Sequence, residues 1–114
     1  MNNMFGYCFK LKSLDLSKFN VKNVLSMSYM VQNCQDIEEI KINNFDISNL
    51  KDSSNMFLSC KLLKYLDLSS SKSNQLENMS HMFHRCTSLT SLDISNLETN
   101  NGIFLFFENW YWII

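Results

Sequence analysis

The spacing of the cysteines constrains the fold of this chain more than any other feature of its sequence. The four cysteines follow one another at steps of 26 residues, and four of the seven methionines keep the same step. These residues are Cys8, Cys34, Cys60 and Cys86, with Met4, Met30, Met56 and Met82. A fixed period of this length, carried by residue types that are usually buried, is typical of a solenoid in which each repeat stacks on its neighbours.

The period extends to the residues that follow each cysteine, so it belongs to the whole repeat. The third, sixth and eighth residues after each cysteine are leucine or isoleucine in all four repeats. A polar residue, such as Asp15 or Lys41, lies between the last two, which gives the alternation of a half-buried strand. The sequence therefore predicts short strands near 13–17, 39–43, 65–69 and 91–95, paired in parallel from one repeat to the next.

The second part of each repeat has a different spacing of apolar residues. Met30 and Val31 lie three and four positions after Met27, and Cys34 lies four and three positions after them, with polar residues in between. This spacing is typical of a helix. Asn23 precedes the run and is a residue type that favours helix N-caps. We therefore expect one short parallel strand and one short helix or helical turn in each 26-residue coil.

The two strings Cys8–Phe19 and Asn78–Leu89 show the motif in which these features combine: Cys-x-x-Leu-x-x-Leu-Asp-Leu-Ser, and Met-Ser-x-Met-Phe ahead of the next cysteine. The motif resembles the BspA-like leucine-rich repeat found in surface proteins of bacteria, mycoplasmas and some protists. The resemblance implies an α/β fold, a leucine-rich-repeat-type solenoid. It covers residues 1–101, an array of about four coils with an incomplete N-terminal unit. Lys41, Ser53 and Ser71 depart from the pattern in the positions of an aspartate, a methionine and an aromatic residue.

The pattern stops after Asn101, and residues 102–114 form an aromatic tail. One interpretation is a C-terminal cap that covers the apolar face of the last coil. A second is an exposed aromatic stretch that contacts a membrane interface or a partner. A third is an artificial end of the chain that has no selected structure.

Charge and hydropathy argue against two classes of partner. The net charge is −1 and the pI is near 6.0, without the basic face that is usual in nucleic-acid-binding proteins. No apolar run reaches the roughly 18–20 residues of a membrane span. Residues 1–20 show no signal peptide. We expect no nucleic-acid partner and no membrane span.

Few residues suggest chemistry. His81, His84 and Cys86 lie within six residues and could form a metal or nucleophile site, but no other repeat carries the same set, which favours two surface histidines and a core cysteine. Disulfides between Cys8 and Cys34, or between Cys60 and Cys86, are geometrically conceivable, although stacked reduced thiols are the simpler arrangement. We expect no catalytic residue, metal or cofactor, and no enzymatic activity.

The outward residues of the strands are the candidate binding face. They are Ser13, Asp15, Glu39, Lys41, Tyr65, Asp67, Ser91 and Asp93. Side chains on a rigid sheet form a preorganised surface, although the same pattern also describes the solvated side of an ordinary strand. The leading hypothesis is a non-enzymatic protein-interaction module. The resemblance implies a cell-surface or secreted location and a role in adhesion. The alternative is a structural repeat segment or intracellular scaffold with no binding activity of its own.

Overall fold

Short alternating segments form the only strands among residues 1–98, the part of the chain that the computed structural model describes. These are β1 (Ser13–Asp15), β2 (Glu39–Lys41), β3 (Tyr65–Asp67) and β4 (Ser91–Asp93). Each strand begins at the first residue of the predicted range and ends two residues earlier than predicted. The central residue of each strand faces the interior, and the two outer residues face outward, as the alternation requires.

The strands pair in parallel, with partners 26 positions apart in the sequence. β1 pairs with β2 through Leu14 and Ile40, and β3 pairs with β4 through Leu66 and Leu92. β2 and β3 are not joined in one sheet, so the structure has two separate two-stranded sheets instead of a continuous ladder. The second and third repeats are connected elsewhere, through an isolated parallel bridge from Asp52 to Asn78, and a similar bridge from Ser26 to Asp52 joins the first and second repeats.

We divide the described chain into four repeat units, residues 1–26, 27–52, 53–78 and 79–98. The first eight residues of each unit form a turn segment. In the second unit, the N–H groups of Met30 and Gln32 donate to carbonyl groups three residues earlier, as in successive turns. The N–H groups of Tyr29, Val31 and Asn33 donate instead to carbonyl groups of the third unit, at 2.7–3.0 Å.

This alternation overturns the predicted fold class. The α/β leucine-rich-repeat-type solenoid requires a helix or helical turn in each coil, and residues 1–98 contain no helix. The third and seventh residues of every turn segment have positive φ angles, for example 59° at Tyr29 and 56° at Asn33. A left-handed residue at these places prevents a right-handed helix from continuing. The backbone satisfies its N–H groups partly by bonding to the next unit.

The core lies between the strands and the turn segments. It takes the same positions from successive units, and the second unit contributes the most complete set. These residues are Met27, Met30, Val31, Cys34, Ile37, Ile40, Ile42, Phe45, Ile47 and Leu50, all buried. The Phe57 and Phe83 rings of the third and fourth units stack with centroids 5.5 Å apart. Burial of these side chains stabilises a chain whose strands are only three residues long.

Two of the departures noted in the sequence lie inside this core. Ser53 and Ser71 are both fully buried; the units on both sides carry methionine in the position of Ser53, and the preceding unit carries Phe45 in the position of Ser71. A small, mainly apolar cavity of about 10 Å³ is lined by Ser53, Phe45, Met56 and other core side chains. The smaller Ser53 side chain therefore leaves packing of the third unit incomplete, without changing the register of its strand.

The structure describes only part of the chain to which the predicted domain division applies. The predicted tail, residues 102–114, lies outside the described residues, and so does the end of the array that was expected to reach residue 101. The boundary between array and tail stays a prediction.

Candidate protein-interaction surface

The eight predicted binding residues all lie on the four strands, and we call their outward side the strand face. Seven of the eight are exposed and Glu39 is half-buried. The backbone register places Ser13 beside Glu39 and Asp15 beside Lys41 in the first sheet. In the second sheet it places Tyr65 beside Ser91, and Asp67 beside Asp93. The parallel pairing thus brings the predicted residues together in two groups of four.

Glu39 connects the two groups. Its Oε1 atom lies 3.8 Å from Lys41 Nζ, and it accepts a hydrogen bond of 3.4 Å from the Tyr65 hydroxyl. Tyr65 as a whole remains 49% exposed. A tyrosine held at its hydroxyl end and open along its ring presents apolar area with little remaining rotamer freedom to lose on binding.

The aspartates of the strand face also have a structural role that the sequence analysis missed. Asp15 Oδ1 accepts hydrogen bonds from the Ser17 N–H at 2.9 Å and from the Ser17 hydroxyl at 2.5 Å. Asp93 makes the same backbone contact with Ser95, at 2.9 Å. Such bonds from a residue two positions later form Asx turns, here at the ends of the strands. The Asp-x-Ser triplet recurs in the sequence, and this recurrence could have predicted the turns.

These contacts fix the charge on the strand face. Hydrogen bonds from the Ser17 hydroxyl, and next from its N–H, hold the pKa of Asp15 below its ordinary value. The corresponding bonds from Ser95 lower the pKa of Asp93. The eight residues carry four carboxylates and one ammonium group, so their formal charge at neutral pH is −3. The strand face therefore combines one tyrosine with polar side chains of net negative charge.

The cysteines take no part in this surface. All four are free thiols, and only Cys8 is exposed. Each buried thiol lies near a carbonyl oxygen of the preceding unit; Cys34 Sγ is 3.1 Å from Phe5 O and Cys86 Sγ is 3.0 Å from Phe57 O. Burial raises the pKa of Cys34 to about 11. The hydrogen bond with Cys86, followed by burial, raises the pKa of Cys60. Cys34 and Cys60 are therefore protonated parts of the core.

The histidine cluster suggested by the sequence does not form a metal site within residues 1–98. The His81 and His84 rings meet edge to face, with centroids 5.5 Å apart. Cys86 is fully buried. No group of three or more potential ligands among the described residues is placed to hold a metal ion. The contact between the two rings is therefore a packing contact on the turn segment.

A polar depression of about 300 Å³ lies away from the strand face, and the sequence analysis did not identify it. Its lining includes Ser48, Lys72, Asn74, Asn96 and Glu98. Ser48 and Asn74 are 26 positions apart, as are Lys72 and Glu98, so the depression is built from equivalent positions of successive units. It combines both signs of charge and has no convergent set of catalytic groups.

The fold and surface define a class of small repeat protein, in which units joined by parallel backbone pairing display a polar face around one exposed tyrosine. The chain belongs to the family described as Mycoplasma protein of unknown function, DUF285, whose sequence profile matches residues 1–107. No curated protein and no solved structure matches the chain. Among the described residues there is no helix long and apolar enough to cross a membrane.

Proposed function

We propose that this chain is a non-enzymatic protein-interaction module that contacts its partner through the strand face. The observation that carries the proposal is the arrangement around Tyr65, whose ring is exposed while its hydroxyl is held by Glu39. Tyrosine is enriched at the energetic centres of protein interfaces. The charged residues Lys41, Asp67 and Asp93 lie on β2, β3 and β4 of the same face and would supply the polar rim of such a contact.

Membership in a family described from mycoplasma supports a location at the cell surface or outside the cell. The BspA-like repeats that the motif resembles occur in surface proteins, and by that analogy we propose that the chain is displayed on the cell surface or secreted, with adhesion to a protein of a host or neighbouring cell as its role. The net charge of −3 on the strand face favours a partner whose contact region is basic.

A binding assay with paired variants tests the proposal. The labelled chain is applied to intact host cells and to immobilised surface proteins from them, and binding is compared between the original chain and the double variant Lys41→Ala/Tyr65→Ala. We expect the variant to lose at least about tenfold in affinity, since truncation of a tyrosine at the energetic centre of an interface costs about 2 kcal/mol or more.

The control variant is Lys51→Ala/Tyr29→Ala, which removes the same two residue types from outside the strand face. Both of these side chains are exposed. We expect the control to bind as the original chain does. Equal binding by all three proteins would show that the strand face is not the contact surface, and an absence of saturable binding by the original chain would contradict the proposed function.

A further inference from the structure

The backbone bonds that join successive units next to the strands are interrupted between the second and third units, and we call this boundary the middle interface. The first and third interfaces are each closed at the end of their strands by a bond of 2.8 Å: Leu16 N to Lys41 O, and Leu68 N to Asp93 O. The equivalent bond across the middle interface, from Ile42 N to Asp67 O, is not formed. The strands β2 and β3 accordingly belong to separate sheets.

The opposite side of the middle interface, formed by the turn segments, stays closed. The N–H groups of Tyr29, Val31 and Asn33 donate to carbonyl groups of the third unit at 2.7–3.0 Å. Corresponding bonds join the first unit to the second and the third unit to the fourth. The turn segments are therefore bonded continuously through the four described units, whereas the series of bonds along the strands has a gap at its centre.

The sequence at the end of β2 accounts for this gap. After β1, β3 and β4 an Asp-x-Ser triplet forms an Asx turn; the bond from Ser69 N to Asp67 Oδ1 measures 2.8 Å. In the second unit the triplet is replaced by Lys-Ile-Asn, residues 41–43, and a lysine side chain has no acceptor for such a turn. The next residue, Asn44, has a φ of 61°, whereas its equivalents in the other described units have no positive φ. The chain thus leaves β2 along a different path, and Ile42 N does not reach the Asp67 carbonyl.

The other contacts near the strands hold the middle interface weakly. Two hydrogen bonds between exposed side chains span it there: Tyr65 to Glu39 at 3.4 Å and Lys61 to Gln35 at 3.3 Å. Both are long, and water can replace either partner. The small cavity beside Ser53 is lined by core side chains of the second and third units. Separation of the strands at this interface therefore breaks no backbone bond between β2 and β3 and gives up incomplete packing.

We propose that the middle interface is a hinge built into the fold. The bonded turn segments are its axis, the first two units move as one body against the last two, and the strand side opens and closes. Opening separates β2 from β3 and divides the strand face between its two groups of four residues. The replacement of an aspartate by Lys41 determines where in the chain the hinge lies. This inference concerns internal motion and holds whether or not the strand face binds a partner.

The experiment measures distances between two nitroxide spin labels by pulsed electron paramagnetic resonance. The strand-side pair is Ser13→Cys/Ser91→Cys, and the turn-side pair is Tyr7→Cys/Arg85→Cys; all four positions are exposed, and each pair joins equivalent residues of the first and fourth units. Both pairs are placed in the Cys8→Ser chain, whose remaining native cysteines are buried. We expect the strand-side pair to show a second population that is longer by at least one strand spacing, ~4.8 Å. The turn-side pair should give a single narrow distribution.

A pair of variants tests the cause of the gap. Lys41→Asp/Asn43→Ser restores the Asp-x-Ser triplet after β2, and the longer population should be lost because the Asx turn can form there. Lys41→Glu/Asn43→Ser makes the same change of charge, but Asx turns are formed by aspartate and asparagine, whose side chains are one methylene shorter. This control should keep the longer population.

Three results would overturn the proposal. A single narrow distribution for the strand-side pair in the chain with native residues at 41 and 43 would show that the middle interface does not open. Equal broadening of both pairs would show that the whole chain loosens without a hinge axis. Loss of the longer population in both the aspartate and the glutamate variants, or in neither, would show that the missing Asx turn does not produce the hinge.

Discussion

The methionines at equivalent positions provide a test of packing in which residue type and local sequence are nearly constant. Met30 and Met56 are at most 2% exposed, and Met4 is 49% exposed. Truncation of a fully buried methionine to alanine removes its transfer free energy and leaves a cavity, which together cost about 2–5 kcal/mol. For Met4 roughly half of the transfer free energy is at stake and no cavity forms, so the expected cost is about 1 kcal/mol or less.

The assay is urea unfolding of Met4→Ala, Met30→Ala and Met56→Ala, followed by circular dichroism. We expect Met30→Ala and Met56→Ala to lower the free energy of unfolding by at least about 2 kcal/mol more than Met4→Ala does, with a similar dependence on urea in all three. If a buried-site alanine variant does not fold, methionine to leucine at the same site should cost under about 1.5 kcal/mol and restore folding. Equal losses at the three positions would refute the argument from burial.

Three further changes test other parts of the structure. Ser71→Ala should raise the free energy of unfolding by about 1 kcal/mol, since the buried Ser71 hydroxyl has no partner among the described residues; a loss of stability in urea unfolding would contradict this. The pKa values of Asp15 and Asp93 are lowered in the folded chain. Their contribution to stability is therefore complete above the ordinary aspartate pKa of about 3.9 and is lost as the pH falls through the lower folded values. The urea midpoint should fall from pH 5 to pH 2.5, and by less in Asp15→Asn/Asp93→Asn; an equal fall in that variant would show that these carboxylates do not contribute. At Asn55, where φ is 56°, Asn55→Gly should be more stable than Asn55→Ala by about 1 kcal/mol, and the opposite order, which a helix would give, would contradict the left-handed turn.

The sequence predicted the strands well because alternation reports directly which side chains face inward. Leu14, Ile40 and Leu66 each occupy the central inward position that the pattern assigned to them. The strand-face residues followed from the same alternation, because their neighbours in sequence are fixed in the core. Pairing between β2 and β3 could not be read in this way, since the pattern is the same in strands that join a ladder and in strands that do not.

The helices were predicted wrongly because apolar spacing of three or four residues does not determine where backbone N–H groups bond. Successive turns with left-handed residues also return a side chain to the core every three or four positions, as Met27, Met30 and Val31 show. Asn33 and Asn55 were the available signal, since asparagine tolerates a positive φ better than most residues. The contact between Tyr65 and Glu39 also required the structure, because it joins two strands that do not share a sheet.

The central claim is that equivalent positions of successive units pack on one another, so that the first cysteine remains at an open end while the other three are enclosed. Thiol labelling of the native chain tests it most directly. We predict rapid reaction at Cys8 alone, with Cys34, Cys60 and Cys86 reacting only after unfolding, because they are buried and, for Cys34, because a pKa of about 11 leaves little thiolate. Rapid labelling of all four thiols under native conditions would contradict the account.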